Sequence, residues 1–338
     1  MKRPRWLAMA SLGLLLLLIA AVNADDRQVV FEQAGQFADG GTAVTVLVKD
    51  GLAYVCEFDN GLEILDVHDP TRITKLCQTP DTREARGIEV AGEIAYLSCN
   101  RGGLKLYDVR DPARPVFVGE YVDRDGDPHQ FLASGDVGYL TEWHGGVDII
   151  DLADPRRPMR LGQYKGDGFS FSICLVGSLA YVTQYSGGLH ILDVTDPKYP
   201  RPIGSHQNGG ETNALHVVGS RAYVCDKEQG LEILDVSDPT HPELAGTFAT
   251  GGRPVGIQVV GEIALVIDWD LGLLALDVRD PSRMRQIGAF HDGGRPNGIQ
   301  VVGDLVYVAD GSDGLEVVRF TEARAEESPS TPGSRREP

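Results

Sequence analysis

The chain has 338 residues, 24% of them charged, and a formal net charge of −18 at pH 7. A surface this acidic disfavours nucleic acids and anionic lipids, because both need positive charge on the protein. It leaves proteins, glycans and small cationic or neutral molecules as possible partners.

Residues 1–24 have the pattern of a secretory signal peptide. Lys2, Arg3 and Arg5 precede an apolar run of 16 residues, and small residues surround a predicted cleavage after Ala24. The alternative is an uncleaved anchor, but the run is shorter than the roughly 20 apolar residues of a spanning helix. We therefore predict an exported protein, periplasmic, extracellular or at the cell surface, with no membrane span after cleavage.

The five cysteines form no CxxC pair and have no histidine at metal-ligand spacing. An exported protein can form disulfides, but an odd count leaves at least one thiol unpaired. We predict that most of them are small buried apolar residues. They are Cys56, Cys77, Cys99, Cys174 and Cys225.

One ten-residue segment recurs seven times between residues 25 and 320. Six copies resemble GLEILDVHDP, and the seventh reads GLEVVRFTEA. The copies follow one another at steps of 42 or 43 residues, a period typical of propeller blades. Their first residues are Gly61, Gly103, Gly146, Gly188, Gly230, Gly272 and Gly314.

Each period contains four short runs rich in β-branched residues, separated by Gly, Asp and Pro. No helical periodicity of useful length interrupts them. We predict an all-β fold, a seven-bladed β-propeller of four-stranded antiparallel blades.

The aspartates that end the third strand recur in six of the seven copies, so we expect them to serve the blade rather than a single active site. They are Asp66, Asp108, Asp151, Asp193, Asp235 and Asp277. The following Asp-Pro pair ends the strand, because proline pre-sets a turn and has no N–H to donate.

The two ends of the repeat region predict how the ring closes. The seventh copy lacks the Asp-Pro turn, whereas QAGQFADGG at 33–41 matches RQIGAFHDGG at 285–294. The N-terminal strand is therefore predicted to complete the last blade and to cover two sheet edges. Residues 321–338 are polar and contain proline, which predicts a disordered tail.

The copies, with their L-[EKHD]-[IL]-[LYI]-D-V core followed by Asp-Pro, resemble the LVIVD-repeat proteins over residues 29–320. The resemblance implies a β-propeller of exported or surface-associated bacterial and archaeal proteins. The seventh copy departs from the pattern, with Arg319 in place of the aspartate.

Comparing the blades with one another identifies two rings of residues that vary and are therefore free for function. The first lies where each innermost strand enters the channel: Val44, Arg86, His129, Phe171, Asn213, Val255 and Asn297. The second lies four residues before each repeat glycine: Glu57, Cys99, Glu142, Gln184, Asp226, Asp268 and Asp310. Its acids either cap hairpin turns or bind a ligand. Arg253 and Arg295 are expected to neutralise Asp268 and Asp310 as ion pairs.

The hairpins EWHGG (142–146), QYSGG (184–188) and DWDLG (268–272) carry large aromatic residues, which are typical of binding surfaces. Alternatively, each aromatic only caps the end of its blade. The predicted site spans blades three, four and six and consists of His129, Glu142, Trp143, His144, Tyr185, Asp268, Trp269 and Asp270. An acidic and aromatic mouth favours a cation, a basic peptide or a sugar.

The loop VDRDGDPHQ spaces Asp123, Asp125 and Asp127 as in the start of a calcium loop. Pro128 and Ser134 stand where an EF-hand has Gly and Glu, so the match is incomplete. Ca²⁺ is the only cofactor that the sequence suggests.

No local enzyme motif is present in the sequence. We therefore predict a binding or interaction module with its site at the channel mouth. The alternative is a cation-dependent hydrolase or lyase acting on a lactone or glycan, with His129 and Glu142 as an acid–base pair.

Overall fold

The structure is a computed structural model that describes residues 27–323, apart from residues 80, 81, 83, 101, 123–125, 145, 167 and 208. The predicted signal peptide and Asp123 and Asp125 of the predicted calcium loop lie outside the described residues. Within the described chain, no helix is long and apolar enough to cross a membrane.

The described chain forms seven antiparallel sheets of four strands, as predicted. Blade one contains β2 (Ala43–Lys49), β3 (Leu52–Glu57), β4 (Gly61–Asp66) and β5 (Thr74–Thr79). Blade two contains β6 (Ala85–Ala91), β7 (Ile94–Cys99), β8 (Gly103–Asp108) and β9 (Val116–Tyr121). Blade three contains β10 (Pro128–Ser134), β11 (Val137–Glu142), β12 (Gly146–Asp151) and β13 (Met159–Tyr164). Blade four contains β14 (Ser170–Val176), β15 (Leu179–Gln184), β16 (Gly188–Asp193) and β17 (Arg201–His206).

Blades five to seven repeat the same meander. Blade five contains β18 (Thr212–Val218), β19 (Arg221–Asp226), β20 (Gly230–Asp235) and β21 (Glu243–Phe248). Blade six contains β22 (Pro254–Val260), β23 (Ile263–Asp268), β24 (Gly272–Asp277) and β25 (Arg285–Phe290). Blade seven contains β26 (Gly298–Val302), β27 (Leu305–Ala309), β28 (Leu315–Ala323) and the N-terminal β1 (Gln28–Phe37). Single 3₁₀ turns occur at Pro70–Arg72 and Pro281–Arg283.

The blades pack around a closed ring. The first strands of all neighbouring blades contact one another, including those of blades seven and one. The second and third strands are buried on both faces, because each lies between two neighbouring blades. Their apolar side chains fill seven core clusters. This burial explains why the third strand is written as a nearly continuous apolar run.

Two features of the backbone explain why the ten-residue segment recurs so closely. Its first glycine has φ between 73° and 91° in all seven copies, and a Cβ there would lie within 2.4 Å of a carbonyl oxygen of the fourth strand. Only glycine adopts this conformation at so close an approach without strain. The Asp-Pro turn packs against a glycine in the fourth strand of the preceding blade, as at Pro197 and Gly162.

The recurring aspartates serve the turns. Asp66 Oδ1 accepts a hydrogen bond of 3.1 Å from the N–H of His68, and the same bond forms after every third strand of blades one to six. Asp69 accepts likewise from Thr71, as do its counterparts before each proline. These acids are structural, as predicted.

The predicted closure is confirmed. Strand β1 pairs antiparallel with β28 along nine aligned residues and completes the sheet of blade seven. The predicted start of the tail at Thr321 is wrong by three residues, because Thr321–Ala323 continue β28 and pair with Gln28–Val30. The long N-terminal strand offers backbone partners to these polar residues, and that pairing outweighs their lack of apolar periodicity. The remainder of the predicted tail lies outside the described residues.

Within the described part of the chain, none of the five cysteines is in a disulfide. Cys56, Cys99 and Cys225 are buried in the core, and burial raises the pKa of the Cys56 and Cys225 thiols well above the usual value. They act as small apolar residues, as predicted.

Candidate functional site

The meander determines which loops share a face. Hairpins between second and third strands lie on the same face as the loops that lead from each fourth strand into the next blade, because successive strands are antiparallel. We call this the mouth face. The Asp-Pro turns lie on the opposite face.

Aromatic side chains of blades three and four form a continuous cluster on the mouth face. Trp143 stacks on Phe169 with ring centroids 5.2 Å apart and meets Phe171 edge-on at 5.0 Å. Tyr185 lies 5.6 Å from Phe171 and 6.3 Å from Phe169. The exposed ring of His144 meets Phe169 edge-on at 5.1 Å. The predicted Trp143, His144 and Tyr185 are thus brought together.

Lys227 connects this cluster to blade six. Its ammonium lies 4.9 Å from the ring centroid of Tyr185 and 5.6 Å from that of Trp269. It also pairs with Glu211 at 3.1 Å. We call the surface from Trp143 to Trp269 the aromatic row, with Phe169, Phe171, Tyr185 and Lys227 between its ends. Phe169 and Lys227 were missed from the sequence, because they lie outside the two rings.

Trp269 is covered by cations. The guanidinium of Arg295 lies 4.4 Å from the centroid of its ring, and that of Arg253 lies 5.4 Å away. The Trp269 indole N–H donates to Asn297 at 3.2 Å, which fixes the ring against blade seven. With Lys227 also 5.6 Å from its centroid, the ring has three cations against it and is a poor site for a further cationic ligand.

Both acids of the blade-six hairpin have partners. Asp268 is fully buried and accepts from the backbone N–H groups of Arg253 and Asp270, both at 2.9 Å. The guanidinium of Arg253 instead pairs with Asp270 at 2.7 Å, which lowers the pKa of that carboxyl. The predicted Arg253–Asp268 ion pair is therefore wrong, because a backbone N–H reaches the buried oxygen more directly than the long side chain.

The second ring of variable residues is buried in all seven blades. Asp226 and Asp268 cap their hairpins by accepting backbone N–H groups, which is the turn-capping alternative. Glu142 and Gln184 are also buried, and the backbones of Gly126 and Gly166 approach their side-chain ends.

The first ring lies nearer the channel and is mostly half-buried. Arg86 lies 5.6 Å from the centroid of Phe58. A cavity of about 160 Å³ is lined by Arg86, Asn100, Asp127, His129 and Trp143, so three predicted site or ring residues share one pocket at the mouth.

His129 has the wrong character for the predicted acid–base pair. Burial, and then the charge of nearby Arg86, lower the pKa of His129 to about 4. Its Nδ1 lies 3.0 Å from the carbonyl oxygen of Phe171, which accepts the hydrogen bond. An imidazole that stays neutral at pH 7 and is already engaged is a poor proton-transfer group.

Blades one and seven each carry a partly buried carboxylate cluster that was not predicted, although Glu57 and Asp310 belong to the second ring. In blade one, Asp39, Glu57 and Glu63 place carboxylate oxygens within 4.8 Å of one another. In blade seven, Asp292, Asp310 and Asp313 do the same. Burial, followed by neighbouring carboxylates, raises the pKa of Asp310 to about 7.

A second cavity, of about 500 Å³, lies on the opposite face. It is lined by residues of blade two's outer strand, including Val116 and Phe117, and by the Asp-Pro turn of blade three. None of the predicted site residues lines it.

Solved structures of low sequence identity share the fold. A computationally designed protein, Ika8, matches with a TM-score of 0.62 and 9% identity, covering 85% of this chain and 99% of that one. The β-propeller domain of Myceliophteria thermophila Cps50 (Swd1) matches with a TM-score of 0.68 and 13% identity, covering 86% and 100%. At these identities the likeness concerns the fold alone. A comparison with curated proteins found no match.

The LVIVD repeat is detected in six segments of the chain, at residues 40–76, 82–123, 167–207, 209–250, 251–292 and 293–318. The undetected segment between 123 and 167 folds into blade three with the same strand order as the others. Because the six segments cover more than half of the sequence and correspond to blades of one ring, the chain belongs to the LVIVD-repeat family.

Proposed function

We propose that this protein is an exported binding module whose mouth face, across blades three to six, holds an acidic segment of a partner protein. The observation that carries the proposal is the aromatic row, which runs without interruption from Trp143 to Trp269. Tryptophan, tyrosine and arginine are the residue types that dominate the binding energy of protein interfaces.

The charge of the partner follows from the cations beside the row. Among the residues that the structure describes, Arg86 and Arg295 form no ion pair, and each guanidinium lies over an aromatic ring. Carboxylates of a partner would form ion pairs with both guanidinium groups. A cationic ligand would instead be repelled by Lys227, Arg253 and Arg295 around Trp269. This favours an acidic polypeptide over the small cation or basic peptide expected from the sequence. A glycan that stacks on Trp143 is the other outcome that a test must distinguish.

A chain with Trp143→Ala and Trp269→Ala is expected to lose most of its binding while keeping its fold. Each hot-spot aromatic contributes more than about 1–2 kcal/mol, so the pair should weaken binding at least about thirtyfold. The measurement is biolayer interferometry against a panel of acidic peptides and a panel of neutral glycans, with circular dichroism to check the fold.

The matched control is Tyr199→Ala, which removes an aromatic that is 71% exposed in the Asp-Pro turn of blade four, on the opposite face. It should leave binding unchanged. Binding of acidic peptides should also weaken as the salt concentration is raised above about 0.15 M, because exposed charges are screened within about 8 Å at physiological ionic strength. Glycan binding without salt dependence would replace the protein partner, and full binding by the double variant would refute the site.

A further inference from the structure

The carboxylate cluster of blade seven has the same framework as that of blade one but a different charge. Asp292 and Asp39 occupy equivalent loop positions, and Glu316 and Glu63 each stand two residues after the repeat glycine. Two positions differ. Gln33 of blade seven pairs with Val318 at the register position where Lys75 of blade one pairs with Leu65. Asp313 precedes the repeat glycine of blade seven, and Asn60 holds that position in blade one. Blade seven thus has one more acid and one fewer base.

In blade one the protein neutralises its own cluster. The Lys75 ammonium lies 2.5 Å from Asp39 and 2.8 Å from Glu63, and Gln78 donates to Glu57 at 3.1 Å. The Lys75 ammonium therefore lies between carboxylates. Its charge offsets much of the free-energy cost of burying Glu63, which is 2% exposed.

Blade seven has no such cation among the described residues. Gln33 donates its neutral amide to Glu316 at 3.0 Å. Arg295, in the same loop as Asp292, lies over Trp269 instead, and Arg319 pairs with Asp304. The four carboxyl groups of Asp292, Asp310, Asp313 and Glu316 therefore face one another without a basic side chain.

One oxygen within the cluster points to a missing ligand. Asp310 is 2% exposed, and although the backbone N–H of Arg295 reaches its carboxyl, its Oδ1 is buried with no hydrogen-bond donor. Its counterpart in blade six, Asp268, receives two backbone N–H groups on one oxygen. A buried acceptor without a donor is costly, and a bound cation would satisfy it.

We propose that blade seven holds a calcium ion between Asp292, Asp310, Asp313 and Glu316. The ligand atoms would all be carboxylate oxygens, which suit a hard cation and not the metals that prefer nitrogen or sulfur ligands. Calcium fits better than magnesium, because it accepts six to eight oxygens in irregular geometry and bidentate carboxylates. Burial, followed by the charges of Asp292 and Asp310, raises the pKa of Glu316 to about 8, a cost that a divalent cation would remove.

The test is isothermal titration of the full chain, stripped of metal with EDTA, with CaCl₂ and separately with MgCl₂. The expected result is saturable binding of one Ca²⁺ per chain, with magnesium at least about tenfold weaker. Asp313→Asn should weaken calcium binding at least about tenfold. The melting temperature of the wild-type chain should rise with calcium.

The sharpest variant is Gln33→Lys, which copies the cation of blade one into blade seven. It should fold at least as well as the wild type in EDTA, because Lys75 shows that the framework accepts a lysine, and it should no longer bind calcium. The matched control is Asp39→Asn in blade one, which should bind calcium as the wild type does. The proposal is overturned if the wild type binds no calcium at millimolar concentration, if Gln33→Lys binds it undiminished, or if Asp39→Asn is the variant that loses it.

Discussion

A chain that begins at Gly41 is expected to melt far below a chain that begins at Arg27 and to aggregate. The shorter chain lacks β1, and with it nine aligned residue pairs to β28, the buried Val29 and the ion pairs of Arg27 with Glu262 and Glu322. The edge of β28 would then be unpaired and the surface of β25 that packs on β1 would be exposed, and unpaired edges associate. We expect the free energy of unfolding to fall by at least about 4 kcal/mol. Losses of this size are exceptional, and the removal of a paired and packed strand is large enough to cause one.

The measurement is thermal unfolding with light scattering on both chains. The chain that begins at Arg27 is the control, because it keeps every described strand. Equal melting temperatures and a monodisperse shorter chain would mean that the ring closes without β1.

Gly35→Ala adds one methyl group to β1, the strand that closes the ring. We expect it to destabilise the fold more than a methyl group added anywhere else in that strand. A Cβ on Gly35 would lie 1.8 Å from the carbonyl oxygen of Pro70, in the Asp-Pro turn of blade one. Most fourth strands pack on the next blade by this contact, and at Gly35 it joins the two ends of the ring. The backbones must separate by more than an ångström, so we expect the free energy of unfolding to fall by about 2–3 kcal/mol.

The chain supplies its own control for this substitution. Blade one carries Cys77 at the position where other fourth strands have glycine, so Cys77→Ala changes a side chain at the equivalent site without introducing a clash. It should cost less than about 1 kcal/mol, since Cys77 is only partly buried. Guanidinium unfolding of both variants measures the difference. Equal midpoints for Gly35→Ala and the wild type would show that the closure is loosely packed.

The sequence predicted the architecture well because the features that build a blade are local and repeated. The positive-φ glycine, the apolar third strand and the Asp-Pro turn each recur at one period, and the altered seventh copy together with the match at 33–41 predicted the closure. Only the last three residues of β28 were misassigned, because their pairing depends on a distant strand.

The site was less predictable, because its contacts depend on the directions of long side chains. The hairpin positions of Trp143, Tyr185 and Trp269 were correctly placed on one face, but Lys227, which joins two of them, is one residue after a ring position. The Arg253 guanidinium forms its ion pair with Asp270 and not with Asp268, the partner predicted from the sequence. The difference between Lys75 and Gln33 becomes meaningful only when the register of two distant strands is known.

Photo-crosslinking from the mouth face, in the presence of proteins extracted from the source organism, is the decisive experiment for the proposed interface. A photoreactive phenylalanine analogue is placed at Tyr185, within the aromatic row, or at Tyr199 on the opposite face. We expect a discrete adduct from position 185 that disappears with Trp269→Ala, and no adduct from position 199. An adduct from position 199 alone, or one from position 185 that persists at full yield with Trp269→Ala, would contradict the proposed interface.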